Sequence, residues 1–285
     1  MNLYLFQALN GIGLGMIYFL ISVGLTIIFG LLNFVNFAHG AFYLLGAYLS
    51  YTAVVVTGNY WVALIIAPIM IALIAWVCER TLIKRVYHLP HTYQILVTLG
   101  VALIIQELCV SIWGPIGKHI SPPDSLKGVF QLGDFFYPQY RLFVIGFAAV
   151  VAILVWLLLD KTKFGALVRA GSEDAETVSL LGTHTHRLFS ITFALGVGLA
   201  GLAGVLAAPI RGIHPFVGPE ILGIAFVVVV IGGMGSFTGA LVGGLLVGLV
   251  QSLMTTIWPQ GASLMIYGAM AFVILLRPYG LFGRA

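Results

Sequence analysis

Asn33, Asn36 and His39, in the string GLLNFVNFAHGAF, are the densest polar group inside the apolar part of this chain. Amide and imidazole side chains both donate and accept hydrogen bonds, so they can satisfy freed backbone groups or line a path. The three-residue spacing of Asn36 and His39 puts them on one face if the segment is helical. If a helix starts here, Asn36 can cap it by accepting from a backbone N–H. Gly40 would then let a neighbouring helix approach closely. A capped inter-helix junction and a substrate-path or gating element both fit the string. Gly232, Gly233 and Gly235 end another short apolar segment. A tight turn and a position beside a transport pathway both fit those glycines. Gln106 and Glu107 lie inside a third segment, where Glu107 needs a partner, a proton or a nearby interface.

Residues 160–187 concentrate charge. They read DKTKFGALVRAGSEDAETVSLLGTHTHR, whereas residues 1–78 and 221–276 hold no Asp, Glu, Lys or Arg. Ser172 reads as a helix N-cap. Glu173, Asp174 and Glu176 follow in or near the first turn, where carboxylates meet the positive end of a helix. Val178, Leu180 and Leu181 supply an apolar side, and Gly182 permits a left-handed stop. This predicts a helix over 172–181, outside any bilayer. Such a helix either enters a groove on a soluble partner or lies as a connector at the lipid surface.

Composition states what must position these groups. The chain is 61% hydrophobic and 8% charged, against about 25% charged in soluble domains. It is therefore an integral membrane protein. Its apolar runs are long and do not alternate, so they are helices, not barrel strands. The first run lacks a basic leader and is not read as a signal peptide. Cys78 and Cys109 sit in or at the end of apolar segments, without disulfide or metal spacing. The net charge of +4 suits basic loops on one membrane face, not nucleic acid. Segments 142–159, 188–210 and all those after Glu220 carry no ionisable Asp, Glu, Lys or Arg in their spans. That argues against a proton relay. The chain has no G-x-x-x-x-G-K-[ST] string and no membrane-embedded catalytic dyad. No enzyme activity and no bound cofactor or metal is expected, and energy for active transport must come from another subunit.

Nine spans are expected, over 5–31, 37–57, 60–78, 93–113, 142–159, 188–210, 221–234, 238–257 and 261–276. The count falls to eight if the short seventh is re-entrant. The fold class is an all-α polytopic transmembrane bundle forming one domain over 1–285, with an external loop at 114–139 and the charged segment at 160–187. Prolines 115, 122, 123 and 138 interrupt that loop. Its aromatics Phe130, Phe135, Phe136 and Tyr137 read as an interfacial belt or as a docking surface. Arg80, Lys84, Arg85, Lys161, Lys163, Arg169, Arg187, Arg277 and Arg284 fall on one face; Lys118, Lys127, Arg141 and Arg211 fall on the other. The richer face should be cytoplasmic, placing the N-terminus outside and the C-terminus inside.

Four strings, in order, resemble the branched-chain amino acid ABC transporter permease family. They are residues 24–48 (GLTIIFGLLNFVNFAHGAFYLLGAY), the TKFG, VRA and LG elements of the charged segment, residues 225–244 (AFVVVVIGGMGSFTGALVGG) and the closing RPYGLFG. The likeness runs over nearly the whole chain, most like the smaller, LivH-like permease of the pair. It implies a cell inner membrane importer with a second, LivM-like permease, two ATPase subunits holding ATP-Mg, and a periplasmic solute-binding protein. It assigns ATPase coupling to Gly165, Arg169, Ala170, Ala175 and Gly182, with Glu173 and Asp174 at the rim. It places Asn33, Asn36, His39 and Gly40 at a helix junction or translocation path, matched by the turn at Gly232, Gly233 and Gly235. Many relatives carry Lys where Ile224 stands, which leaves that segment neutral here. The family also serves urea, short amides and other amino acids. A stand-alone channel for a small neutral solute and a non-transporting assembly subunit are the rival classes.

Overall fold

The computed structural model describes residues 2–132 and 135–283. Arg284 and the loop residues Gly133 and Asp134 lie outside the described residues. The chain folds as α1 (Asn2–Leu32), α2 (His39–Thr57), α3 (Tyr60–Thr81), α4 (His91–Trp113), α5 (Gln139–Lys161), α6 (Lys163–Glu173), α7 (Ala175–Leu180), α8 (Thr185–Arg211), α9 (Val217–Gly232), α10 (Phe237–Ile257) and α11 (Ala262–Leu276). Eight of the described helices are long and apolar enough to cross a membrane, the last being Pro259–Leu276, where a 3-10 turn runs into α11; α9, with 16 residues, is shorter. At 1.5 Å per residue α9 covers about 24 Å, less than a hydrocarbon core of about 30 Å. It runs from within the bundle to one end. Glu220 in its first turn pairs with Arg211 at the end of α8, and Gly235, just past its C-terminus, lies against Gly30 of α1.

The centre of the bundle is α1 and α8, its two most buried spans. Lipid tails are as apolar as leucine, so helices in a bilayer associate through close van der Waals packing. The sequence supplies it with small residues. A Cβ on Gly24 of α1 would collide with the carbonyl of Gly196 in α8, and one on Gly46 of α2 would lie 2.6 Å from the Cα of Gly201. Helices α4 and α5 lie outside, presenting Leu103, Ile104, Val150 and Ile153 outward. Between them β1 (Val129–Leu132) and β2 (Phe135–Pro138) form an antiparallel hairpin with Phe130 opposite Tyr137. The loop aromatics divide: Phe130 and Phe136 are exposed, while buried Tyr137 donates to Asn10 of α1 at 3.1 Å.

Contacts between loops sort them onto two ends. Phe34 packs on Tyr87, Tyr87 on Phe189, and Gly171 approaches Leu31. The N–H groups of Leu281 and Phe282 donate to the carbonyls of Ile231 and Gly232. At the opposite end Lys118 pairs through its backbone with Ile213, and Arg141 donates to Asn10. The described basic residues therefore divide as their order along the chain requires, with the larger group at the end holding α6 and α7.

One connection departs from the expected layout. Segment 33–38 does not stay at the end of α1 but leads back into the bundle. The His39 ring nitrogen Nε2 lies 2.9 Å from the carbonyl of Ile21, eleven residues before the end of α1. At helical rise, α2 thus begins about 16 Å back inside the bundle from the end of α1. Asn33 turns the chain with φ 45, and the non-helical residues after it climb inward. Asn36 and His39 consequently do not share a helix face, because the helix begins only at His39.

The packing predicts contrasting glycine substitutions. Gly24→Val should lower the melting temperature of the purified protein, since overpacking costs about 1–3 kcal/mol. Gly146→Ala, where an added Cβ meets nothing within 4 Å, should be neutral or stabilising by roughly 0.5–1 kcal/mol. Thermal melts in detergent read both.

Candidate functional site

The re-entrant junction is held by short polar contacts. Asn36, His39 and Gly40 are buried and Asn33 is exposed. The Oδ1 of Asn36 accepts from the Ala38 N–H at 3.1 Å, one residue short of the helix, so Asn36 shapes the entry turn and is not the N-cap. A carbonyl only accepts, so His39 carries its proton on Nε2 toward Ile21. Its Nδ1 and the Nδ2 of Asn36 are buried with no hydrogen-bond partner among the described residues. Gly40 lies against Gly218, where a side chain would strike the Gly218 carbonyl. The starts of α2 and α9 therefore meet inside the bundle. Gly232, Gly233 and Gly235 make the tight turn from α9 to α10. Gly233 (φ 99) and Gly235 (φ 81) take conformations that side chains resist, and the C-terminal tail pins the turn.

The charged segment forms two helices, not the single one expected over 172–181. Thr162 caps α6, accepting from the Gly165 N–H at 3.2 Å. Ser172 lies inside α6 and donates back to the Arg169 carbonyl at 2.7 Å, so it is not an N-cap. Asp174 breaks the run with extended backbone and caps α7, accepting from the N–H groups of Glu176 and Thr177 at 3.0 Å each. A carboxylate serves both freed donors better than a hydroxyl already committed to the preceding helix. Gly182 (φ 87) follows α7, in the left-handed conformation its type allows.

The expected coupling residues thus take different places. Gly165 is buried where a side chain would strike the Leu159 backbone, and Arg169 donates to the Leu159 carbonyl at the end of α5. Both lock the turn into α6. Ala170 and Glu173 are exposed, and Ala175 is half-buried. Of the apolar trio, Val178 turns inward, whereas Leu180 and Leu181 are 82% and 80% exposed.

Two polar groups were not singled out from the sequence. Glu79, 1% exposed, accepts from Tyr87 at 3.1 Å and from Ser190 of α8 at 2.5 Å. It falls just past the expected span 60–78 and just before Arg80, Lys84 and Arg85. Arg211 and Glu220 face each other at 2.9 Å beside a cavity of about 320 Å³, which Tyr43, Gly212 and His214 also line. Only the return of the chain after α8 brings them together. Below them the Tyr18 hydroxyl donates to Gln251 of α10 at 2.5 Å. Glu107 is exposed on α4 beside Leu103, Ile104 and Leu108, and has no partner among the described residues.

Eight helices of spanning length, a re-entrant junction and a capped polar element at one end define a multi-pass helical membrane protein. A family model described as branched-chain amino acid transport system / permease component matches residues 7–275. The chain belongs to that family. It is 28% identical to the high-affinity branched-chain amino acid transport system permease protein LivH of Escherichia coli, over 99% of this chain and 96% of that protein. It is 29% identical to the corresponding BraD permease of Pseudomonas aeruginosa, over the same shares. Likeness to E. coli LivM is 27% identity over 94% of this chain and 68% of LivM. No solved structure matches.

Two outcomes test this geometry. Glu79→Ala removes the acceptor of the half-buried Tyr87 hydroxyl and one of the two acceptors of the buried Ser190 hydroxyl, which keeps the His186 carbonyl at 3.1 Å; an orphaned group costs about 1–3 kcal/mol. The substitution should lower the melting temperature far more than Tyr87→Phe. Asp174, held below the usual carboxylate range by Thr177 first and Glu176 second, keeps its cap at neutral pH and through the ordinary carboxylate range. The cap is lost only as pH falls through the depressed value. Amide exchange at Glu176 and Thr177 should accelerate only there, and at every pH in Asp174→Ala.

Proposed function

We propose that this chain is the transmembrane permease subunit of a binding-protein-dependent, ATP-driven importer for branched-chain or related amino acids. Its single permease domain would sit in the cell inner membrane with the basic end cytoplasmic and the N-terminus periplasmic. A second, LivM-like permease would complete the pathway, two ATPase subunits would supply hydrolysis, and a periplasmic protein would deliver the solute. Similarity to both LivH and LivM fits a pair of related permeases.

The observation that carries this reading is the tip of α7. Leu180 and Leu181 project from a polar element at the basic end of the bundle. Covering a leucine is worth roughly 1.5–3 kcal/mol, so the pair offers a partner an anchor. Exposed Glu173 and Glu176 beside it supply a charged rim. The turns at Gly165 and Asp174 connect this tip to α5, so a push on it would be passed to the spans. Urea or a short amide as solute, and a stand-alone channel, remain the alternatives to be excluded by experiment.

Leu180→Asp with Leu181→Asp should leave membrane insertion intact and abolish co-purification of the ATPase subunits. Arg169→Glu, which removes the anchor on Leu159, and Gly182→Pro, which denies the left-handed turn, should retain the ATPases yet uncouple hydrolysis from uptake. Binding-protein-stimulated hydrolysis and solute uptake in proteoliposomes measure both. Normal uptake in all three variants overturns the coupling role. ATP-independent flux through this chain alone favours the channel.

A further inference from the structure

We propose that Arg211, Glu220 and Tyr43 form a solute-reading site for the two charges of an α-amino acid, set within the membrane in the half of the bundle away from α7. The inference rests on the importer reading and names what that importer's permease recognises. The depth of the site comes from three contacts. His39 bonds the carbonyl of Ile21, which is the twentieth residue of the 31-residue helix α1. Gly40, next to His39, touches Gly218, and Glu220 follows two residues later on α9. Glu220 therefore lies near the middle depth of α1, and the guanidinium of Arg211 meets it there. A charged pair at this depth faces bundle interior or water, because hydrocarbon does not solvate it. The side chains of Glu220 and Arg211 are 55% and 28% exposed, so the pair is not sealed in the protein. It opens into the cavity of about 320 Å³, a space that holds a small amino acid headgroup.

The pair also carries unused capacity. Arg211 spends Nη2 on Glu220, while Nη1 is buried and has no hydrogen-bond partner among the described residues. A guanidinium presents two parallel donors that match a carboxylate. Tyr43, 4% exposed, lines the same cavity. A zwitterion entering here places its carboxylate on Arg211 and the Tyr43 hydroxyl, and its ammonium on Glu220. It exchanges one ion pair for two of the same type, so little charge is left unpaired in transit. Urea and neutral amides have no charges to offer, and would have to leave the Arg211–Glu220 pair closed or broken without compensation. The aliphatic side chain needs no polar partner.

The test uses the assembled transporter in proteoliposomes with labelled leucine. Arg211→Gln and Glu220→Gln should each lower leucine uptake at least tenfold, and Tyr43→Phe severalfold, while loaded binding protein still stimulates ATP hydrolysis. That retained stimulation certifies folding and assembly. The double variant Arg211→Met with Glu220→Leu separates the roles. Replacing a purely structural ion pair by apolar residues is often neutral, so recovered uptake in the double variant overturns the proposal. Uptake that stays lost supports it. If wild-type complex takes up leucine and the single variants match it, this assignment fails and the importer reading stands. If the wild-type complex takes up no leucine under stimulated hydrolysis, the amino-acid reading fails and the assignment falls with it.

Discussion

The structure depends on helix backbones that touch. Gly24 against Gly196, Gly46 against Gly201 and Gly40 against Gly218 bring α1, α2, α8 and α9 closer than any side chain would allow. In a bilayer this is what holds helices together, since there is no water to expel between them. The closeness has a second effect. It brings main-chain carbonyls such as that of Ile21 within reach of a neighbouring side chain, and His39 takes that position. A larger residue at Gly40 would push α2 away from α9 and leave both helix starts without their seat.

Because α2 begins deep, the segment before it must satisfy its own backbone inside the protein. Asn36 takes the Ala38 N–H, and Thr98 of α4 takes that of Phe37 at 3.2 Å. Non-helical backbone is tolerated at membrane depth only when it is buried in protein in this way. The short α9 belongs to the same arrangement. A helix of 16 residues leaves the stretch after α8 to turn back into the bundle, which carries Glu220 to Arg211. Both features follow from one choice, to start two helices within the bundle.

The apolar segments and the polar element were legible because long apolar periods and clustered charge are local signals. Eight spans and a shorter ninth helix stand where the sequence placed them. The break at Asp174 was harder to read, since Ser172 and Asp174 are both good caps and only the length of α6 decides between them. Glu79 was hidden by its basic neighbours in sequence, although its partners Tyr87 and Ser190 come from other elements. Arg211 read as a loop cation because its partner belongs to the next helix. Local pattern reports what a residue can do; the partner that uses it is set by tertiary approach.

Helix α8 connects these parts. It begins three residues after the Gly182 turn that closes the α7 tip, and ends on Arg211 at the cavity beside Glu220. Its 27 residues make a rod of about 40 Å. Near its start Ser190 is tied to Glu79 of α3, and along its middle the glycine face rests on α1 and α2. Displacing the α7 tip therefore cannot bend α8 cheaply at the glycine contacts, where backbones already touch. Under the proposed function, α8 would slide or turn as a unit, carrying the Arg211 guanidinium relative to Glu220 on the separate helix α9. Under the proposed function, one rigid element would thus join the ATPase-facing surface to the charges that meet the solute.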